Sequence, residues 1–138
     1  MATSMPAVFT WPVRIYYEDT DAGGIVFYAN YLKFFERART EWLRAADVGQ
    51  QALRDEHGAI FVVKSASIDY HAPARLDDAL NLTLSIEKLG RASVQFLQQA
   101  WHGDVLLASA TVKVGCVDAV TLRPRALPDA SAAKMRAA

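Results

Sequence analysis

The residues best placed to do chemistry fall in one stretch, RIYYEDTDAGGIVFYANYLKFFERARTEWLR, residues 14–44. It begins as a strand and breaks at Asp19-Thr20-Asp21-Ala22-Gly23-Gly24. It then enters a long amphipathic helix. The turn supplies a carboxylate, and the helix start supplies unpaired backbone N–H groups at the positive end of a dipole. That combination suits attack on a carbonyl. The carboxylate of Asp21 either adds to the carbonyl carbon or takes a proton from water. The helix amides receive the charge that develops on oxygen, an effect worth about 3–4 kcal/mol where the donors are preorganised.

Each of these residues also has a plainer reading. Asp beside Gly is commonly a turn residue or a cap. Gly23 and Gly24 suit any tight turn, as well as close approach of backbone to a substrate. Asp19 reads as structural, or as a spectator beside Asp21. Glu36 and Glu41 are the competing carboxylates. The helical spacing puts Glu36 near the buried face with Arg39 close by, which suggests a structural pair. His57, His71 and His102 have no metal spacing, and neither H-E-x-x-H nor C-x-x-C occurs. His102 is expected in an exposed turn. Cys116 lies in an alternating apolar run and reads as core. No G-x-S-x-G is present, which argues against a serine-hydrolase elbow.

The elements that must position the turn follow from periodicity. Residues 13–18 read as a short strand after a loose start over residues 1–10. From about Asn30 to Ala46, apolar residues recur at Tyr31, Phe34, Phe35, Ala38, Trp42, Leu43 and Ala46, the spacing of a helix with one buried face. Asn30 is the expected N-cap. These aromatic residues read mainly as core. Asp47-Val48-Gly49 closes the helix, and residues 50–57 suit one further short helical segment. Residues 59–71 suit a long strand. Leu80, Leu82, Leu84 and Ile86 then alternate with polar residues, Gly90-Arg91 breaks the run, and residues 92–101 form the next strand. His102-Gly103-Asp104 reads as a hairpin turn, and Leu106 to Cys116 alternate through the last strand. An irregular tail follows, with a short terminal helix. Hairpin-sized links make the last four strands consecutive and antiparallel. The expected architecture is therefore α+β, a curved sheet wrapped around a central helix.

Composition narrows the function. The 138 residues suit a single domain, and an apolar fraction of 52% suffices for a real core. Fifteen basic residues balance fifteen acidic ones, which argues against nucleic acid as partner. A lone cysteine suits a reducing compartment. The N-terminus lacks the pattern of a signal peptide, and no apolar run reaches the ~18 residues of a membrane span. A soluble, cytoplasmic protein that forms oligomers is expected.

The stretch YYEDTDAGGIVFYANYLKFFERARTEWLR, with DYHAPARLDD, GRASVQF and RPRALP, resembles the 4-hydroxybenzoyl-CoA thioesterase-like hotdog family. It is most similar to the branch of bacterial acyl-CoA thioesterases encoded beside the Tol–Pal envelope system. The resemblance covers roughly residues 9–130. It implies a hotdog fold with a five-stranded antiparallel sheet, and hydrolysis of acyl-CoA without metal or cofactor. It also implies a dimer or tetramer whose sites lie at the dimer interface. It places the catalytic carboxylate at Asp21 and the oxyanion donor at the Tyr28 backbone N–H, with Gly24 shaping the turn. Cap spacing favours instead the amides just after Asn30. Lys88, Arg91 and Arg123 would bind the phosphates of CoA, with Arg125 adding to them. Many members of the branch carry His where this chain has Tyr28, and IVFYANY looks more like the aromatic-thioester enzymes. Acyl carrier protein is a further partner to consider. A non-catalytic acyl-CoA or acyl-carrier-protein adaptor and a dehydratase are the alternatives. An intact Asp21 argues against the first, and the lack of His beside the motif against the second.

Overall fold

The apolar stripe of the long helix finds its partner in a sheet. The computed structural model describes residues 8–138. In chain order it contains β1 (Phe9–Arg14), a 3₁₀ turn (Tyr17–Asp19), α1 (Asn30–Ala45), α2 (Gln50–His57) and β2 (Ala59–Tyr70). β3 (Ala79–Leu89), β4 (Ser93–His102), β5 (Val105–Asp118) and α3 (Asp129–Ala137) complete it. Residues 1–7 of the expected loose start lie outside the described residues. Tyr31, Phe34, Phe35, Ala38, Trp42 and Leu43 of α1 are buried against Leu80, Leu82, Leu84, Val94, Phe96 and Val112 on the inner face of the sheet. Full burial of each large apolar side chain contributes about 1.5–3 kcal/mol. This is the expected α+β hotdog arrangement.

The sheet order is β1-β3-β4-β5-β2, with every neighbouring pair antiparallel. This corrects the expectation of four consecutive hairpin-linked strands. β3, β4 and β5 form a meander, but β2 pairs with β5 at the far edge. The link after β2 crosses the end of the sheet instead of folding back. The His71 and Ala72 amides both donate to the Leu107 carbonyl, and the Ala74 carbonyl accepts from Val26. Leu107 is the extra residue at a bulge opposite Ala100/Trp101. Leu107 and not Leu106 is therefore the buried one.

Two boundaries also shift. The first strand occupies Phe9–Arg14 instead of 13–18, because Ile15 leaves the ladder to pair with Asp77 and Asp78 and the chain tightens into the 3₁₀ turn. The helix cap falls on Ala29, with Asn30 inside the helix. The Asn30 amide donates to the Phe27 carbonyl, so the first turn begins before Asn30 could cap it. At the other end Asp47 adopts a positive φ of 60° and stops α1.

One buried polar network joins helix to sheet. Gln98 is fully buried in β4. Its amide nitrogen donates to the Phe35 carbonyl at 2.9 Å, and its oxygen accepts from Arg39 at 2.9 Å. Burial lowers the pKa of Arg39, opposed by the charge of Glu36. No buried side-chain N or O atom lacks a partner among the described residues.

Candidate active site

The acidic turn sits at the end of the sheet where β1 and β2 finish and β3 begins. Two backbone clamps shape it. Thr20 bridges Val26, and the Phe27 amide donates to the Asp19 carbonyl at 3.1 Å. A further bridge, Ile25 to Arg75, ties the loop to the segment before β3. Within the loop the Asp21 amide donates to Ile25 and the Gly24 amide to the Asp21 carbonyl. Gly24 has φ +77°, the left-handed region that a side chain disfavours, so glycine is what this turn requires.

The two aspartates differ in employment. Asp19 is buried, and its Oδ2 accepts from the Tyr16 amide at 2.8 Å, a structural cap as expected. Asp21 is exposed. Its Oδ1 accepts from the Gly23 amide at 2.8 Å, while Oδ2 has no partner among the described residues. One oxygen thus fixes the side chain and the other is free to react.

The helix start lies on the other side of the same loop. The Asn30, Tyr31 and Leu32 amides donate to the carbonyls three residues back. The Tyr28 and Ala29 amides have no acceptor among the described residues. Asn30, displaced from its expected capping role, instead donates from Nδ2 to the Asp19 carbonyl at 2.8 Å. It ties helix start to acidic turn. From the end of β2, the Tyr70 hydroxyl donates to the Tyr28 carbonyl at 3.0 Å. Its ring meets Tyr28 edge-on and contacts buried Tyr31. Burial raises the pKa of both Tyr31 and Tyr70, with neighbouring Tyr70 and Tyr28 adding respectively. Sequence reading assigned neither the Ala29 amide nor Tyr70 a role. The only signal for Tyr70 was its place within DYHAPARLDD.

The basic residues are elsewhere. Lys88 is the penultimate residue of β3, Arg91 lies in the β3–β4 turn and Arg123 follows β5, all exposed. The Arg91 carbonyl accepts from Leu127, which joins this turn to the tail. None of the three cations has a carboxylate partner among the described residues. β3 is 11 residues long, so this end stands about 30 Å from the acidic turn at ~3.3 Å per residue. One chain therefore does not bring the two sets together. Arg125 is held in place, its guanidinium donating to the His57 carbonyl at the end of α2, 2.6 Å away.

The competing groups sort out as follows. Glu36 is exposed but lines a cavity beside Arg39, as its helical position suggests, while the Arg39 guanidinium turns to Gln98. Glu36 accepts from Thr40 at 3.0 Å and makes no ion pair with Arg39. Glu41 pairs with Arg44 on the surface. His102 ends β4, exposed and 3.8 Å from Asp78, and the turn itself is Gly103-Asp104. His57 and His71 are exposed. Cys116 is buried, and burial raises its thiol pKa against the lowering influence of Arg125. Among the described residues no cluster of three or more His, Cys, Asp or Glu could hold a metal ion, and no helix is long and apolar enough to cross a membrane. A cavity of about 120 Å³ lies between α1, α2 and the sheet, lined by Glu36, Arg39, Leu43, Phe61, Val63 and Phe96 among others. Neither Asp21 nor Tyr28 reaches it.

A single sheet around a long helix, with a carboxylate turn at the helix start, defines the hotdog class, and comparison with known proteins agrees. Residues 23–109 match the Thioesterase superfamily, and the chain belongs to that family. It is 48% identical to the acyl-CoA thioesterase YbgC of Haemophilus influenzae over 87% of this chain and 88% of that one. It is also 48% identical to the acyl-CoA thioester hydrolase YbgC of Escherichia coli O6:H1, over 94% and 96% of the two chains. A crystal structure described as a probable thioesterase from Bartonella henselae superimposes with a TM-score of 0.83 at 33% identity. It covers 88% of this chain and all of that one.

Proposed function

We propose that this chain is an acyl-CoA thioesterase in which Asp21 is the reacting carboxylate. The observation that carries the reading is the pairing of an exposed carboxylate, one oxygen held and one without a partner, with a helix start whose Tyr28 and Ala29 amides have no acceptor among the described residues. Asp21 Oδ2 adds to the thioester carbonyl carbon, the C–S bond breaks, and CoA leaves as thiolate. Water then hydrolyses the mixed anhydride and regenerates the carboxylate. In the general-base variant Asp21 instead takes the proton of the attacking water. In both, the Tyr28 N–H donates to the oxyanion of the tetrahedral intermediate, and Gly24 gives the turn its close approach. The reaction asks for no metal or cofactor.

The basic residues enter through a second copy. β2 is an edge strand exposed on both faces from Val62 to Ser67, a ready template for pairing. Two-fold antiparallel pairing of β2 with β2 sets the acidic end of one protomer beside the basic end of the other. Arg91 and Lys88 of one chain, with Arg123, then hold the phosphates of the CoA whose thioester reacts at Asp21 of its partner. A tetramer of two such dimers, a cytoplasmic site of action and a link to the Tol–Pal system extend the same reading, as does an acyl group delivered on acyl carrier protein.

The test is hydrolysis of short-chain, long-chain and aromatic CoA thioesters by wild type and Asp21→Asn, followed by thiol release. Activity that collapses in the variant supports the reading. Equal activity in both removes Asp21 from the chemistry. Binding of acyl-CoA without hydrolysis by wild type favours the adaptor.

A further inference from the structure

The bond between the Tyr70 hydroxyl and the Tyr28 carbonyl spans 42 residues of sequence and ends on the peptide group that opens the helix. That peptide joins Tyr28 to Ala29, so the carbonyl that Tyr70 holds and the unused Ala29 N–H share one plane. Fixing the carbonyl fixes the direction of the N–H. From the first turn of α1 the Tyr28 carbonyl accepts only a long bond, 3.3 Å, from the Tyr31 amide. Tyr70 therefore supplies the shorter of its two hydrogen bonds. A donor at a carbonyl also draws electron density through the amide and strengthens the N–H at the other end, by about 10–30% per bond.

The Tyr70 ring is itself held. It packs 5.6 Å from Tyr31, which is buried in the core, and edge-on at 6.1 Å to Tyr28. A tyrosine at a strand end could have left its hydroxyl in water, since Tyr70 is 46% exposed. Its hydroxyl instead meets the main chain beside the two amides that have no acceptor. Its raised pKa, from burial and then from Tyr28, keeps the hydroxyl protonated, and so a donor, across the neutral range.

We propose that Tyr70 is a positioning residue: its hydroxyl orients and polarises the Tyr28–Ala29 peptide so that the Ala29 N–H joins the Tyr28 N–H as a second donor to the oxyanion. The proposal rests on the thioesterase reading above. It deepens that reading by giving the oxyanion site two donors and a tuning group at the end of β2.

Tyr70→Phe removes the hydroxyl and keeps the ring. With the best CoA thioester of the panel, kcat falls about tenfold while KM stays within about twofold, less than the loss of a whole oxyanion donor. Replacing Tyr70 with 3-fluorotyrosine, a stronger donor below its pKa, restores kcat to the wild-type level or above. In ¹⁵N–¹H spectra the Ala29 amide proton moves upfield in Tyr70→Phe, the mark of a weaker donor. A merely structural role would instead lower Tm and raise KM without that selective shift. Wild-type kcat in Tyr70→Phe, with Asp21→Asn inactive, overturns the role of Tyr70 and leaves the thioesterase reading standing. An Ala29 resonance that does not move overturns the polarisation whatever the activity. Absence of thioester hydrolysis by wild type overturns the thioesterase reading and the catalytic role of Tyr70 with it.

Discussion

The two ends of the sheet treat their polar groups in opposite ways. At the end carrying Asp21, backbone clamps, the Asn30 side chain and the Tyr70 hydroxyl fix the acidic turn against the helix start, while Asp21 Oδ2 and the Tyr28 and Ala29 amides have no partner among the described residues. At the other end Lys88, Arg91 and Arg123 stand exposed with no acidic partner among the described residues. Reaction chemistry needs groups fixed to within fractions of an ångström, whereas phosphate recognition tolerates long flexible cations. About 30 Å of sheet separates the two within one chain. A partner pairing through β2, as proposed above, would bring the two ends together.

The comparison can be broken most severely at the fixed end. Asp21→Asn is expected to lower kcat on the order of a thousandfold, the scale of losing a reacting group, with Tm unchanged. The edge between the ends comes next. Ala66→Glu sets like charges face to face near a two-fold axis on β2. The variant is expected to run as a monomer in size exclusion and to lose most of its activity, and a fully active monomer would sink the shared site. Gln98→Leu tests the scaffold under both. It removes the second bond to the buried Phe35 carbonyl and leaves the Arg39 guanidinium without its acceptor, at a cost of about 1–3 kcal/mol in denaturant unfolding. At the cationic end, Lys88→Ala with Arg91→Ala is expected to raise KM about tenfold with kcat nearly constant, an effect that shrinks as salt rises.

The smallest effect concerns Asp118, at the mouth of the tail. The Thr121 and then Val120 amides hold its carboxyl below the ordinary range, helped by Arg125 and opposed by desolvation. A depressed pKa favours the folded state above the unfolded value of about 3.9, and that contribution is lost as pH falls through the folded value. Asp118→Asn should therefore lower Tm slightly at pH 6 and leave it unchanged near pH 2. A loss that persists at low pH would point to a neutral structural role.

Elements with a strong period were legible from sequence. The stripe from Tyr31 to Leu43 and the alternation of Leu80 to Ile86 each name their own structure and buried face. Strand adjacency was not legible, because the pattern of β2 says that it is a strand but not that β5 is its neighbour. The cap was misplaced because Asn30 has the right chemistry but the turn at Phe27 starts first. The pairing of Glu36 with Arg39 was misjudged because a helical stripe does not reveal that Arg39 prefers a buried glutamine 59 residues away. Asp21 stood out through the glycines and acids around it. Tyr70 did not, since its bond partner is distant in sequence and one tyrosine at a strand end carries no pattern.

The central claim, that one site draws its carboxylate and its cations from different protomers, is tested most directly by subunit complementation. Asp21→Asn chains and Lys88→Ala/Arg91→Ala chains would be unfolded, mixed equally and refolded together. Hydrolysis would then be measured at substrate concentrations well below KM. Mixed dimers carry one intact site and one doubly damaged site. The account predicts recovery to about a quarter of the wild-type rate, beyond that of either variant refolded alone, because half the dimers are mixed and each has one of two sites intact. A mixture no more active than the average of its two components would contradict it, and would return the cations to the chain that carries the reacting aspartate.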